Sequence, residues 1–329
     1  MWKMPGWRSR QGGATATPTP TPGKESLDAG EFKQLVRLCK RVVWNDDPEF
    51  WKRLHAHQVN VIPQNFYAEV PSVEDIENSF EFAASPPYDD AGVFDRALIE
   101  EFVESLVPFA RDADFPQEAP AAGPARYHWK NPAFSYSDAM SYYCAIRKFR
   151  PRRILEVGSG YSTLIADAAL RANGGGELVL FEPFPKDFLH GLETVSRIDT
   201  RFSQRIPVEE YLELLDDDTL WFIDSTHTVK PGSDCLYLYL KVMPRVQRRV
   251  LTHSHDIYLP FPFPKAKYYK QRVTWTEQYL LYAFLLNNPR ARVVYGSNYL
   301  FQTNRPLLER LMEGKFAPGG GSLWYWLNP

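Results

Sequence analysis

An apolar strand pattern breaks into a glycine turn and then resumes as a helix in RRILEVGSGYSTLIADAAL, residues 152–170. The run Ile154–Val157 is short and apolar throughout, as in a buried strand, and helical spacing of apolar residues begins after the turn. Glycines 158 and 160 stand at the turn, where the absence of a Cβ permits a positive φ and close approach of backbone or ligand. The segment therefore predicts a strand, a tight turn and a helix, with the turn as a candidate ligand site.

Strand and helix patterns alternate after residue 126. The predicted strands are 154–157, 178–181, 200–203, 220–223 and 250–253. The predicted helices are 137–148, 162–172, 186–195, 208–215 and 233–243. Apolar strands joined by helices are typical of a parallel sheet that is covered on both faces. We expect an α/β, Rossmann-like fold, with ligands beyond the carboxyl ends of the strands.

The N-terminal third has a different character. Residues 1–26 contain the run GGATATPTPTPG, and alternating Thr and Pro predict a disordered leader. Residues 27–125 contain helical patterns at 27–44, 72–83 and 91–109, which we interpret as an N-terminal helical cap. The remaining residues, 126–329, form the predicted ligand-binding domain.

Composition narrows the class of protein. A net charge of −2 gives no basic surplus for nucleic acid or an anionic membrane, so neither partner is expected. The three cysteines are odd in number and widely spaced, which fits a reducing compartment better than a disulfide framework. We therefore expect a cytoplasmic protein.

Three ligand classes compete for the glycine turn. A phosphate-binding P-loop needs Lys and then Ser or Thr after its last glycine, but Tyr161 stands there. A dinucleotide fingerprint needs a third glycine, but Thr163 occupies that position, and the charge of Glu156 is unfavourable beside a pyrophosphate. The remaining candidate carries adenosine, a positive charge and no phosphate.

At these residues the chain resembles the class I S-adenosylmethionine (SAM)-dependent methyltransferases, whose first motif is an acid, any residue, then Gly-x-Gly. Glu156, Gly158 and Gly160 match it position by position. The resemblance implies that Glu156 helps hold the amino-acid end of SAM and that the segment to Tyr161 binds the cofactor. It also implies a seven-stranded, mostly parallel sheet whose last two strands, RVVYGS and SLWYWL, form an antiparallel edge. Glu182 follows the next strand, in the segment LVLFEP. A carboxylate at this position accepts hydrogen bonds from both hydroxyls of the SAM ribose.

A narrower resemblance concerns the acceptor. The segments FIDSTHTVKPGSD, HSHDIYLPFPFP, WTEQYLLYAFL, GGSLW, NFYAEVPS and FSYSDA are similar to a bacterial methyltransferase group that often accompanies sugar- or polysaccharide-modifying genes. The resemblance implies methyl transfer to a hydroxyl of a sugar, glycan or related small molecule.

Acids and histidines follow the fourth and fifth predicted strands. Asp224 and His227 follow the fourth, while His255 and Asp256 follow the fifth, and adjacent strands are about 4.8 Å apart. His255 is the predicted base, because a nearby carboxylate favours the imidazolium that proton abstraction creates, with His227 and Asp256 as further catalytic candidates. His253 lies within the apolar strand and is interpreted as a core histidine.

A metal is the alternative to a histidine base. Related O-methyltransferases place magnesium on carboxylates at these two strand ends, which implies Asp224 and Asp256 as ligands here, with Asp224 also near the cofactor. His255 would complete the set, although imidazole suits manganese, iron or zinc better than magnesium. The metal is therefore predicted as Mg²⁺ or Mn²⁺.

Two further patterns stay open. The aromatic loop IYLPFPFPKAKYY, together with Trp275 and Glu277, either walls an acceptor site or packs under the cap. The rival functions are an NAD-dependent oxidoreductase and a non-catalytic cofactor-binding protein. Assembly of the chain into a homo-oligomer also stays open.

Overall fold

The computed structural model describes residues 26–82, 86–121, 123 and 125–329, so the predicted leader lies outside the described residues except for Ser26. The chain divides into two compact units, Met1–Ile76 and Glu77–Pro329. The first contains helices α1 (Ala29–Val42) and α2 (Pro48–Ala56). Asp28 begins α1 by accepting hydrogen bonds from the amides of residues 30 and 31, and Asp47 caps α2 in the same manner.

Within the described residues of the second unit, seven strands form one sheet in the order β3-β2-β1-β4-β5-β7-β6. The strands are β1 (Arg153–Val157), β2 (Glu177–Phe181), β3 (Val195–Asp199), β4 (Thr219–Ile223), β5 (Val250–His255), β6 (Ala291–Gly296) and β7 (Ser322–Leu327). β7 runs antiparallel to β5 and β6, while β1 to β5 pair in parallel. The predicted seven-stranded, Rossmann-like sheet is confirmed.

Helices precede the first strand of the sheet and follow most of the others. They are α3 (Val73–Glu77, at the boundary of the two units), α4 (Arg96–Ala110), α5 (Tyr136–Phe149), α6 (Tyr161–Asn173), α7 (Val208–Leu214), α8 (Asp234–Tyr237), α9 (Glu277–Leu285), α10 (Ser297–Thr303) and α11 (Arg305–Met312). In the part of the chain that the structure describes, no helix combines the length and apolar composition needed to cross a bilayer.

The division between the units differs from the predicted boundary near residue 125. Helix α4 buries Ile99, Val103 and Leu106 and packs against α5 and α11, so it belongs to the unit that carries the sheet. An amphipathic pattern shows that a helix has a buried face but not which neighbour covers that face, so the sequence does not reveal that α4 packs with the sheet-bearing unit.

The third strand is also misplaced by the sequence. The predicted helix 186–195 is a single 3₁₀ turn, Asp187–Gly191, and the predicted strand 200–203 is replaced by β3 at Val195–Asp199. β3 is one of the two edge strands of this sheet, and its VSRID sequence is half-buried rather than apolar throughout. A search for buried apolar runs misses such a strand.

Candidate active site

The glycine turn after β1 is fixed by its contact with the end of β4. Gly158 has a φ of +83°, and a Cβ there would lie 2.0 Å from the carbonyl oxygen of Asp224. The approach follows from the register, because β1 and β4 are parallel neighbours and the amide of Asp224 donates to the carbonyl of Val157 at 2.8 Å. Glycine is therefore required at 158 for both conformation and space.

Glu156 stabilises this turn from within the core. Its side chain has no exposed surface; Tyr142 donates to it at 2.9 Å and Thr163 at 2.6 Å. Thr163 in turn accepts the amide of Gly160 at 3.0 Å, so the acid holds the start of α6 through one intervening hydroxyl. Burial raises the pKa of Glu156 to about 7, against the opposing hydrogen bonds of Thr163 and Tyr142. Glu156 lines neither of the two cavities described below, and its direct contact with the cofactor stays a prediction.

Glu182 faces a small cavity at the ends of β1, β2 and β4. One carboxylate oxygen accepts the amide of Ser159 at 2.9 Å and the other accepts the amide of Phe184 at 2.8 Å. The cavity measures about 190 Å³, and Gly158 and Asp224 also line it. The carboxylate is thus held in a fixed orientation with its remaining lone pairs available to a ligand.

Tyr161 and Gly160 are not among the residues that line this cavity. The Tyr161 ring contacts the His128 ring, and Lys186 Nζ lies 4.7 Å from its centre. Tyr161 therefore lies in an aromatic cluster at the start of α6, and its contact with the cofactor stays a prediction.

A second, larger cavity of about 760 Å³ lies beyond β4 and β5. Asp224 lines it as well, so this one residue borders both cavities. Its lining also includes Asp138, His255, Asp256, Tyr258, Lys267 and Trp275. In the aromatic loop, Tyr258 lines this cavity, while Phe263 is buried and packs against the Tyr258 and Trp275 rings.

His227 is held between three carboxylates. Its Nδ1 lies 2.7 Å from Glu277 Oε2, and its Nε2 lies 3.1 Å from Asp224 Oδ1 and 3.8 Å from Asp256 Oδ2. Burial opposes protonation, but the hydrogen bonds with Asp224 and Glu277 dominate and raise the pKa of His227 to about 10. A positive φ of 58° at His227 turns the chain so that the ring enters the cluster.

His255 lies on the other side of Asp224. Its Nδ1 is 3.3 Å from Asp224 Oδ1 and its Nε2 is 3.4 Å from Asp138 Oδ2. Burial opposes protonation, but Asp224, Asp256 and Asp138 together raise the pKa of His255 well above its usual value. In this arrangement the ring is a positively charged imidazolium, with a proton on each nitrogen, at neutral pH. Its predicted role as base therefore requires a cation that engages the surrounding carboxylates.

Asp256 completes the cluster. Its side chain accepts from Tyr258 at 3.0 Å and pairs with Lys267 at 2.8 Å. Burial raises its pKa, but His255 and Lys267 outweigh burial and the pKa falls below its usual value. For Asp224, burial likewise opposes ionisation, yet His255 and His227 hold its pKa well below the ordinary range. Both carboxylates are charged at neutral pH.

The donor set fits a divalent cation. One ligand atom from each of Asp224, His227 and Asp256 lies within 4.8 Å of the other two. Two carboxylates and one imidazole suit a cation between the hard and borderline classes, such as Mn²⁺. The third member of this set is His227, whereas the sequence suggested His255. The Nδ1 of His255 also faces both acids, at 3.3 Å from Asp224 Oδ1 and 3.8 Å from Asp256 Oδ2, but its Nε2 is directed toward Asp138.

His253 is a core residue, as predicted from its position within β5. Its Nε2 lies 2.7 Å from Ser322 Oγ, and its ring stacks on Trp324 with centres 4.2 Å apart. Burial lowers the pKa of His253 well below its usual value, so the ring is neutral.

Three charged residues of the site were not predicted in these roles: Asp138, Lys267 and Glu277. Asp138 begins α5, and the amide of Gly321 donates to it at 2.9 Å. Glu277 begins α9 and is 1% exposed, although the sequence suggested it only for an aromatic wall. An acid in the first turn of a helix reads as favourable for the helix dipole, so sequence alone does not distinguish such residues from ordinary helix starts.

Among curated proteins, an uncharacterized protein of Archaeoglobus fulgidus is 28% identical over 132 residues. The match spans 39% of this chain and 60% of that relative's length.

Two solved structures illustrate the wider likeness. The O-methyltransferase TomG from Streptomyces achromogenes, solved with SAM, is 16% identical with a TM-score of 0.35, over 69% of this chain and 89% of that chain. The O-methyltransferase from Bacillus cereus, solved with SAH, is 13% identical with a TM-score of 0.36, over 69% of this chain and 90% of that chain.

A family model agrees with the sequence resemblance over the segment that holds the site. Residues 155–257 match the family described as a methyltransferase domain. That segment runs from β1 through β5 and includes Glu156, Glu182, Asp224 and Asp256. Over residues 155–257, the predicted methyltransferase domain is confirmed.

Proposed function

We propose that this protein is a SAM-dependent O-methyltransferase that acts on a hydroxyl of a sugar, glycan or related small molecule. The observation that carries the proposal is that Asp224 borders two cavities, one lined by Glu182 and the other by His255 and Asp256. A group-transfer enzyme needs this arrangement, because donor and acceptor must meet at one point. The methyltransferase-domain match over residues 155–257 supports the donor.

The smaller cavity suits the adenosine end of the donor. Glu182 would accept the ribose hydroxyls, since two backbone amides already fix its carboxylate. When bound, SAM supplies the methyl group on a positively charged sulfur, and the ionised Asp224 lies between the two cavities where a positive charge is favoured. Phe184 and Phe202 line the same cavity and offer aromatic surface for a base.

The acid and histidine cluster would hold the cation and the acceptor. Asp224, His227 and Asp256 would bind Mg²⁺ or Mn²⁺, which supplies a Lewis acid that lowers the pKa of a coordinated hydroxyl. Nε2 of His255 lies 3.4 Å from Asp138 Oδ2, so in the neutral ring a proton on Nε2 would leave Nδ1, which faces Asp224, to take a proton from the acceptor.

The lining of the larger cavity supports a polyhydroxylated acceptor. Besides its carboxylates it presents the side chains of Asn298 and Gln302 as hydrogen-bonding groups. Trp275 and Tyr258 add ring faces on which a sugar can pack. A site with several polar groups around aromatic surface favours such a ligand over an apolar one.

Calorimetric titration with SAM and, separately, with NADH tests the donor. Binding of SAM with no binding of NADH is expected, and the reverse result would replace the proposal with the oxidoreductase. Incubation with methyl-labelled SAM and a panel of mono- and oligosaccharides, before and after chelation with EDTA, then tests transfer and metal dependence. SAM binding without label transfer to any hydroxyl compound would favour a non-catalytic binding protein.

A further inference from the structure

The hydrogen bond between Glu277 and His227 divides the two nitrogens of the imidazole between different tasks. Glu277 Oε2 lies 2.7 Å from Nδ1, on the side of the ring that faces away from Asp224. Nε2 faces the carboxylates of Asp224 and Asp256 at 3.1 and 3.8 Å. In the neutral ring that binds a cation, Nδ1 donates its proton to Glu277 and the Nε2 lone pair has a fixed direction. A cation at this site would take the place of the Nε2 proton that the carboxylates favour in its absence.

Glu277 is itself held in place by the fold. It is 1% exposed, and Tyr239 donates to its Oε1 at 2.7 Å while Ser225 donates to its Oε2 at 3.0 Å. Burying a carboxylate costs several kcal/mol unless it is well hydrogen-bonded, and these donors satisfy both oxygens. The position is remote in sequence from His227 and brought to it by the start of α9.

We propose that Glu277 is a positioning residue that fixes Nε2 of His227 toward the cation and thereby makes the site prefer Mn²⁺ over Mg²⁺. The inference rests on the metal part of the proposed function. Histidines that bind metals usually donate their other nitrogen to a carboxylate or carbonyl, and loss of that partner costs 10- to 100-fold in metal affinity. Mg²⁺ gains little from an imidazole, so loss of the fixed nitrogen penalises Mn²⁺ more than Mg²⁺.

The test uses the full chain with Glu277→Gln, which keeps the shape of the side chain and removes its charge. Titration calorimetry with MnCl₂ and with MgCl₂ is expected to show a drop of about tenfold or more for Mn²⁺ and a smaller drop for Mg²⁺. The matched control is Tyr239→Phe, which removes one hydrogen bond to Glu277 and leaves the Glu277–His227 contact in place. That variant is expected to change the Mn²⁺ affinity by less than about threefold.

Electron spin-echo envelope modulation detects a nitrogen atom that coordinates Mn²⁺. This signal would not change if Glu277 only stabilised the fold. The wild type is expected to show nitrogen modulation from one imidazole, weakened or lost in Glu277→Gln. Equal losses for Mn²⁺ and Mg²⁺, or an unchanged Mn²⁺ affinity, would overturn the inference. A wild-type spectrum without nitrogen modulation would also overturn it, even if the variant does not fold. Failure of the wild type to bind either cation would instead remove the metal from the proposed function, and SAM binding measured in parallel would show whether the donor assignment stands.

Discussion

The carbonyl oxygen of Asp224 occupies the space that a side chain on Gly158 would need, with only 2.0 Å between that oxygen and the position of a Cβ. The contact joins the turn after β1 to the end of β4, where the two cavities meet. A change at this glycine therefore disturbs the site and the sheet together.

Gly158→Ala is expected to lower the free energy of unfolding by upward of about 4 kcal/mol, because the clash is with backbone and the two strands must separate. The matched control is Gly174→Ala. Gly174 has a similar φ of +85° but nothing within 4 Å of its Cβ position, so it should cost only about 1 kcal/mol. Urea denaturation of the two variants measures the difference, and equal losses would contradict the steric explanation.

The buried acid Glu156 predicts a pH-dependent stability. Burial raises its pKa from 4.5 to about 7 in the folded protein, so the folded state binds more protons than the unfolded state between these values. Its contribution to stability is full below pH 4.5 and declines as pH rises, with a total loss of about 3 kcal/mol above pH 7.

Glu156→Gln tests this, because the amide does not titrate. The free energy of unfolding of the wild type relative to the variant should fall by about that amount between pH 4.5 and 7.5, as measured by urea denaturation at several pH values. Parallel stability profiles for the two proteins would show that Glu156 is ionised throughout this range.

Loss of the Glu182 charge should weaken SAM binding. Glu182→Gln is expected to raise the Kd for SAM about tenfold or more, since hydrogen bonds to a charged acceptor contribute roughly 1.5–3 kcal/mol. The control is Glu177→Gln at the opposite end of β2, which removes the same charge from the same strand but pairs with Arg153 far from the cavity. Calorimetry on both variants measures the effect; an unchanged Kd for Glu182→Gln would remove the ribose role.

Replacement of the proposed base should separate turnover from binding. His255→Ala is expected to reduce kcat about 100-fold or more while the Kd for SAM changes little, because the ring lines the larger cavity only. His190→Ala, at an exposed histidine in the same unit, serves as the control. Steady-state kinetics and calorimetry together check this, and full activity of His255→Ala would exclude the ring as base.

The sequence contains the information for the general architecture because apolar runs and glycine turns are local signals. β1, β2, β4, β5, β6 and β7 all lie within one or two residues of their predicted positions. The polar edge strand β3 does not, since half-buried residues leave no continuous apolar run. The sequence also does not predict that α4 packs with the sheet-bearing unit, because a helical pattern reveals a buried face but not the element that covers it.

The residue types of the site and their positions at strand ends were determined by sequence, because parallel strands bring their carboxyl ends to one edge. Only the tertiary structure decided that Glu156 supports the turn from within the core, and that His227 and His255 lie on either side of Asp224, each with a ring nitrogen near Asp256 as well. It also brought Glu277 to His227 from 50 residues away. Side-chain direction and long-range partners depend on φ values, register and packing that no local pattern encodes, and at this edge of the sheet they assign each group its role.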